Sequence, residues 1–179
     1  MSRYRPPQPK SSPYITEEGF KMLQAELKAL WEKRGEVTKA LTVAAAEGDR
    51  SENAEYIYRK KELREIDRRL RYLQNRLPDL KIVPIQQQDS KQIFFGAWIT
   101  VKCLTVKTDT VAEATYRIVG PDEFDPDKNY ISLDSPLAKG LLKKTIDDEV
   151  IIHTDDTELR YVVIDVNYTS PDIKNNNNE

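Results

Sequence analysis

The chain of 179 residues has little of what usually carries chemistry unaided: one cysteine, Cys103, and one histidine, His153. A single thiol excludes an intramolecular disulfide and a cysteine zinc cluster, which fits a reducing compartment. Cys103 lies in an apolar, strand-like run and reads as a small buried hydrophobe. A lone histidine in a strand-like run reads as a surface or core residue, not as half of a catalytic or metal pair, and Trp31 and Trp98 have no recognisable ligand-binding context. No apolar run approaches the length of a membrane span, and the start, M-S-R-Y-R-P-P-Q-P-K, lacks the apolar core of a secretory signal. The expectation is a cytoplasmic protein with no membrane partner.

What is present is charge. The composition is 39% hydrophobic and 32% charged, as in a soluble chain with one domain or two small ones. The net charge of -2 conceals an uneven distribution: +3 over residues 1–14, +1 over residues 15–80 and -6 over residues 81–179. A basic front and an acidic back imply surfaces with different partners. Residues 1–14 are rich in Pro, Ser and basic side chains and are predicted to form a flexible arm.

From Thr16, a plausible N-cap followed by Glu17 and Glu18, a helix is predicted. Phe20, Leu23, Leu27, Leu30, Val37, Leu41 and Ala44 recur at alternating steps of three and four, with Arg34 as the one interruption. A second seam runs through Tyr56, Leu63, Ile66, Leu70, Leu73, Leu77 and Leu80, with Arg59 in its polar position. In an antiparallel hairpin, facing residues have numbers with a constant sum. Here Ala44 and Tyr56, Val37 and Leu63, Leu30 and Leu70, Leu27 and Leu73, and Leu23 and Leu77 all sum to 100. The sequence therefore predicts a long antiparallel coiled coil over residues 15–78, with an arm on the order of 40 Å from Phe20 to the turn.

Pro78 and Pro84 flank the exit from the second helix. Strand-like runs follow at Ile93 to Val106, Val111 to Val119, Tyr130 to Leu133, Glu149 to Thr154 and Leu159 to Tyr168. Asp109 and Thr110 are placed in a hairpin turn, and Ser135-Pro136 opens a short helix over Leu137 to Lys144. The fold class is α+β: the coiled coil, then a small globular domain over residues 79–170, then a disordered tail over residues 171–179. Phe94, Phe95, Trp98 and Tyr116 are assigned to the core of that domain.

The turn of the hairpin, G-D-R-S-E-N-A-E-Y from Gly48 to Tyr56, carries Asp49 and Glu52. One reading makes them a capping box that starts the second helix, with Gly48 ending the first. The other makes them solvated carboxylates at the end of a long hairpin, hard oxygen ligands suited to Mg²⁺ when a partner supplies the remaining ligands. Behind the turn, Arg59, Lys60, Lys61, Arg64, Arg68, Arg69 and Arg71 form a basic flank. Glu55 to Arg59, Glu65 to Arg69 and Asp67 to Arg71 have the acid-first spacing of intrahelical pairs. Lys60, Lys61, Arg64 and Arg68 are left in excess and could follow a nucleic-acid backbone.

The run G-D-R-S-E-N-A-E-Y-I-Y-R-K-K-E-L-R-E-I-D-R-R-L-R-Y-L from Gly48 to Leu73 resembles the bacterial Gre transcript-cleavage factors, the GreB type in particular. The resemblance continues through K-I-V at Lys81 to Val83, F-F-G-A-W at Phe94 to Trp98, Y-R-I-V-G at Tyr116 to Gly120 and Y-I-S-L-D-S-P-L-A-K-G-L-L-K-K at Tyr130 to Lys144. It implies a coiled coil followed by an FKBP-like domain. It also implies docking at the rim of the RNA polymerase secondary channel, with the coiled coil inside the channel, where the factor stimulates the polymerase's own Mg²⁺-dependent cleavage of backtracked nascent RNA. By the same resemblance Asp49 and Glu52 are the catalytic, Mg²⁺-holding pair. Ser51, Asn53 and Tyr56 shape the tip and contact RNA or polymerase, and Lys60 and Lys61 match the basic patch associated with extruded RNA, with Arg59 and Arg64 placed beside them in the RNA-binding set. Asp134, Ser135 and Pro136 dock on a polymerase coiled coil. The factor is expected to act as a monomer, without nuclease activity of its own and without tightly bound metal. Two other readings stay open: a regulator of initiation or an inhibitor of the same architecture, and an FKBP-like prolyl isomerase or chaperone.

Overall fold

A computed structural model describes residues 10–46, 52–85, 91–105, 110–153 and 158–169. The chain divides into two units, one of residues 17–80 and one that joins residues 1–16 to residues 81–179.

The first unit is a pair of helices, α1 (Glu17–Ala46) and α2 (Ala54–Arg76), with a 3-10 turn, Leu77–Asp79, in which Pro78 occupies one of the first two positions. Glu17 and Glu18 lie in the first turn of α1, where carboxylates favour the positive end of the helix dipole. The predicted seams are the buried faces: Leu23, Val37 and Ala44 on α1 and Ile66, Leu70 and Leu73 on α2 are all at most 5% exposed. Leu27, Leu30 and Leu63 pack against Val37, Ile66 and Leu70.

Ion pairs across the hairpin fix the same register. Arg69 holds Glu26 in a two-pronged contact at 2.6 and 2.8 Å, and Lys33 reaches Glu62 at 3.0 Å. Glu26 to Lys33 is one heptad forward and Arg69 to Glu62 one heptad back, so both pairs sum to 95 and flank the seam at equivalent positions. Arg34, the interruption in the first seam, is accommodated by turning its Nε onto Asp67 at 2.7 Å. Asp67 and Arg69, expected to serve pairs within their own helix, thus reach across to the other helix. Arg59 keeps its predicted partner Glu55 at 2.7 Å and adds Glu62 at 3.0 Å.

The second unit begins earlier than the sequence suggests. Tyr14–Ile15 form a short strand, β1, parallel to β2 (Lys81–Ile82). The arm was expected to be free up to Tyr14, yet Ser12 is already hydrogen-bonded to Asp134 and the Pro13 carbonyl accepts from Lys81 N–H. Residues 15 and 16 belong to this unit, not to the coiled coil. Residues 1–9 of the arm and 170–179 of the tail lie outside the described residues.

The main sheet has the order β5-β4-β3-β7-β6, built from β3 (Trp98–Thr105), β4 (Thr110–Val119), β5 (Tyr130–Ser132), β6 (Glu149–His153) and β7 (Glu158–Asn167). All neighbours are antiparallel except β4 and β5. The helix α3 (Pro136–Leu141) covers it, so the class is α+β. Ile93, Ala97, Ile99, Val101, Ile118, Ala138, Leu141, Val150 and Val163 form one core cluster.

Several local expectations change. The strand predicted from Ile93 starts only at Trp98, because Ile93 N–H donates to the Lys144 carbonyl and Gly96, at φ 85°, turns the chain through a conformation glycine tolerates. Thr110 pairs with Thr105 as a strand residue and is not in the turn, while Asp109 lies outside the described residues. Of the aromatics assigned to the core, Tyr116 packs against it, but Phe94 is 40% exposed. Trp98 is half-buried and meets Tyr130 edge-on at 5.7 Å, with the Arg117 guanidinium 5.5 Å and 5.3 Å from their rings. Cys103, read as a small buried hydrophobe, is half-buried. His153 is on the surface, 3.7 Å from Glu158.

Candidate functional site

The tip is organised by Asn53. Its backbone is extended (φ -78°, ψ 102°), its side-chain oxygen accepts from Tyr56 N–H at 3.1 Å, and α2 starts at the next residue. The same amide donates through Nδ2 to the Ala44 carbonyl at 2.9 Å, near the end of α1. One side chain therefore caps the incoming helix and satisfies a carbonyl of the outgoing one, pinning both ends of the segment between residues 44 and 53.

This corrects the capping-box reading. A box led by Asp49 would put Glu52 at the third helical position, but Glu52 precedes the cap. Its exposed carboxylate starts no helix. Asp49 and Ser51 lie outside the described residues. Among the described residues no group of three or more His, Cys, Asp or Glu side chains is gathered as a metal ion would need.

Behind the tip, α2 carries the cationic flank. Tyr56 is half-buried and has the Lys60 ammonium 5.5 Å from its ring centroid, and the Arg59 guanidinium lies 5.4 Å from the Tyr58 ring. Arg59 is committed to Glu55 and Glu62, and hydrogen bonding to those carboxylates raises its pKa above the ordinary value. Glu62 is held below the usual carboxylate range first by its hydrogen bond from Lys33. Arg59 is thus a structural cation here, whatever else it touches. Lys60, Lys61, Arg64 and Arg68 are exposed. None of these four is in an ion pair among the described residues, so the excess seen in the sequence persists as one cationic strip on the outer face of α2. The strip is accompanied by exposed Ile57 and Tyr58, at 53% and 58%.

The third predicted set lies in the other unit. Ser135 is the N-cap of α3, its hydroxyl accepting from Ala138 N–H at 3.1 Å, and Pro136 occupies one of the first two helical positions. Asp134 N–H donates to the Ser132 hydroxyl at 3.1 Å, and its carboxylate accepts from both the N–H and the hydroxyl of Ser12. Pro136 is exposed beside these engaged neighbours. Ser12 was missed because the sequence offered no reason to tie an arm residue to a loop more than a hundred positions away.

The comparisons with known proteins agree with this layout. Residues 13–82 match the family model for the N-terminal domain of transcription elongation factors, and residues 87–168 match the model for the C-terminal domain of GreA/GreB transcription elongation factors. The chain is 50% identical over 169 residues to transcription elongation factor GreB of Pseudomonas aeruginosa, covering 94% of this chain and 98% of that one. It is 51% identical over 171 residues to transcription elongation factor GreB of Xanthomonas axonopodis pv. citri, covering 95% and 99%. The solved structure of GreA factor homolog 1 from Thermus thermophilus overlays 86% of this chain and 97% of its own at 21% identity and a TM-score of 0.38, too loosely to argue from.

Proposed function

The chain belongs to the GreA/GreB family of transcription elongation factors, and from that membership we propose that it enters the RNA polymerase secondary channel and stimulates cleavage of backtracked RNA. Asp49 and Glu52 act at the polymerase active site. They are hard oxygen donors of the kind Mg²⁺ takes one or two at a time beside phosphate oxygens and water, and Glu52 is exposed and outside any helix cap, which fits that donor set. When bound, the ion would activate water and neutralise charge on a phosphodiester.

The chain's own contribution is placement. Asn53 ties the first residue before α2 to the last turn of α1, so the carboxylates are carried on a segment whose two ends are fixed. Fixing a reacting group before it meets its target removes entropy from the barrier. Lys60, Lys61, Arg64 and Arg68 hold the phosphates of extruded RNA as an exposed cationic strip. Asp134, Ser135 and Pro136 dock on the rim coiled coil of the polymerase, acting from a capped helix start. The factor works as a cytoplasmic monomer and has no nuclease activity without polymerase, because its carboxylates are half of a site.

The observation that carries this reading is the Asn53 bridge: it leaves Glu52 outside the helix start and therefore available for another task. The experiment is RNA cleavage by polymerase complexes stalled on backtracked transcripts in Mg²⁺, with the full chain and with the double variant Asp49→Ala/Glu52→Ala. The double variant is expected to bind polymerase as the parent does and to lose the stimulation. Undiminished cleavage would refute the metal role.

A further inference from the structure

Segment 12–16 is fastened to its unit by two rings of the same design. Ser12 gives its backbone N–H to Asp134 Oδ2 at 2.8 Å and its hydroxyl to Oδ1 of the same carboxylate. Four residues on, Thr16 gives its N–H to Glu123 Oε2 at 3.0 Å and its hydroxyl to Oε1. Between them, the Pro13 carbonyl accepts from Lys81 N–H at 2.8 Å and the Ile15 carbonyl from Val83 N–H at 2.9 Å. Charge-assisted, two-pronged hydrogen bonds of this kind are the stronger and more directional ones. The pattern along S-P-Y-I-T is an anchor at each end and backbone pairing in the middle.

The two rings do different things. Glu123 also accepts from Gly120 N–H at 3.0 Å, so the Thr16 ring closes a turn at the end of β4 and reads as a structural fastening. The Ser12 ring closes on a loop whose backbone is already shaped by Leu133 N–H bonding the Val119 carbonyl at 2.8 Å and by bonds within the loop itself. Asp134 N–H bonds Ser132 Oγ, Ser135 N–H bonds the Ser132 carbonyl, and Ser135 Oγ caps α3. Those bonds shape the backbone of the loop, but none of them orients the Asp134 carboxylate. Ser12 does.

We infer that Ser12 is a positioning residue for polymerase docking: through its ring with Asp134 it fixes the loop of Asp134, Ser135 and Pro136 in the form that meets the partner. The inference rests on the docking role given to that loop above. A flexible loop has to surrender conformational freedom on binding, and a loop that is already held gives up less. The arm contributes to docking through its last residues.

The test is titration of RNA polymerase with the full chain, reading both the half-saturating factor concentration and the maximal cleavage rate. Ser12→Ala is expected to raise the half-saturating concentration on the order of three- to tenfold, the size expected for releasing one or two ordered side chains. The maximal rate should be unchanged, since the tip is untouched. Ser12→Thr, which keeps both donors, should restore the parental value, and Asp134→Ala should weaken docking at least as much as Ser12→Ala. A Ser12→Ala variant that docks as well as the parent, or better, overturns the inference while leaving the docking loop intact. If Asp134→Ala and Pro136→Ala also dock normally, the docking role itself fails, and the inference falls with it.

Discussion

Replacing Asn53 separates two jobs done by one side chain. The amide oxygen caps α2 through Tyr56 N–H at 3.1 Å, and the amide nitrogen serves the Ala44 carbonyl at 2.9 Å. Loss of a cap typically costs about 1 kcal/mol. Loss of a hydrogen bond to a carbonyl costs about as much, and Ala44 is only 2% exposed, so water does not readily replace it. Asn53→Ala should therefore destabilise the hairpin by about 2 kcal/mol, measured by urea unfolding followed by helical circular dichroism. Asn53→Asp keeps a good capping oxygen and loses only the donor, so it should cost about half as much. In the cleavage assay both variants should lower the maximal stimulation with little change in half-saturating concentration, the alanine variant more. If Asn53→Ala unfolds at the parental urea concentration, or Asn53→Asp is as damaging as alanine, the division of labour is wrong. Full stimulation by a destabilised alanine variant would show that the tip does not depend on its clamp.

Two further perturbations probe the second unit. A Cβ at Gly120 would stand 2.2 Å from the Tyr14 carbonyl oxygen, a backbone atom that cannot swing aside. Gly120→Ala should push β1 off β2 and cost at least about 2 kcal/mol, seen as rapid hydrogen exchange at Lys81 and Val83 N–H; unchanged protection there would contradict the packing. Burial first, and then the neighbouring Cys103, push the Tyr161 hydroxyl up to about 12 from 10.0. The folded chain therefore holds that proton more tightly than the unfolded one. The stabilisation is complete below about pH 10 and is lost as pH rises towards 12. Burial also pushes the Tyr168 hydroxyl up, so an ultraviolet titration should show late tyrosine ionisation that Tyr161→Phe reduces; a titration left unchanged by Tyr161→Phe would refute the assignment.

The coiled coil was legible because its rule is local and periodic. Leucines at steps of three and four define each seam, and the constant sum of 100 aligns them, so the buried faces of α1 and α2 follow from numbering alone. The tip was half legible. D-x-x-E fits a helix start, and the capping-box reading of Asp49 and Glu52 went wrong because the cap is Asn53, whose second partner, the Ala44 carbonyl, is a tertiary one. Pairs such as Glu65 to Arg69 fit one helix on paper, but an arginine beside the seam can equally reach Glu26 on the other helix. The fastenings of Ser12 and of Thr16, which the sequence suggested only as a helix cap, were invisible for the same reason at longer range, since their carboxylates lie 122 and 107 positions away. The aromatic runs misled in another way: hydrophobic type does not fix side, and Phe94 falls on the exposed side of a bend set by Gly96.

The two ion pairs that repeat at the same sum, one heptad apart, make the hairpin a ruler graduated in sevens. Removing one residue from either helix would slide every leucine and every charge pair past its counterpart. Removing seven from each, for example residues 24–30 together with residues 69–75, would take out Glu26 and Arg69 together and leave Lys33 opposite Glu62 and Arg34 opposite Asp67. The tip would then retreat by about 10 Å with its own chemistry untouched. Length and chemistry are thus separately inherited in this molecule: point substitutions can alter what the tip does, but its reach can change only in whole heptads taken from both strands of the hairpin at once.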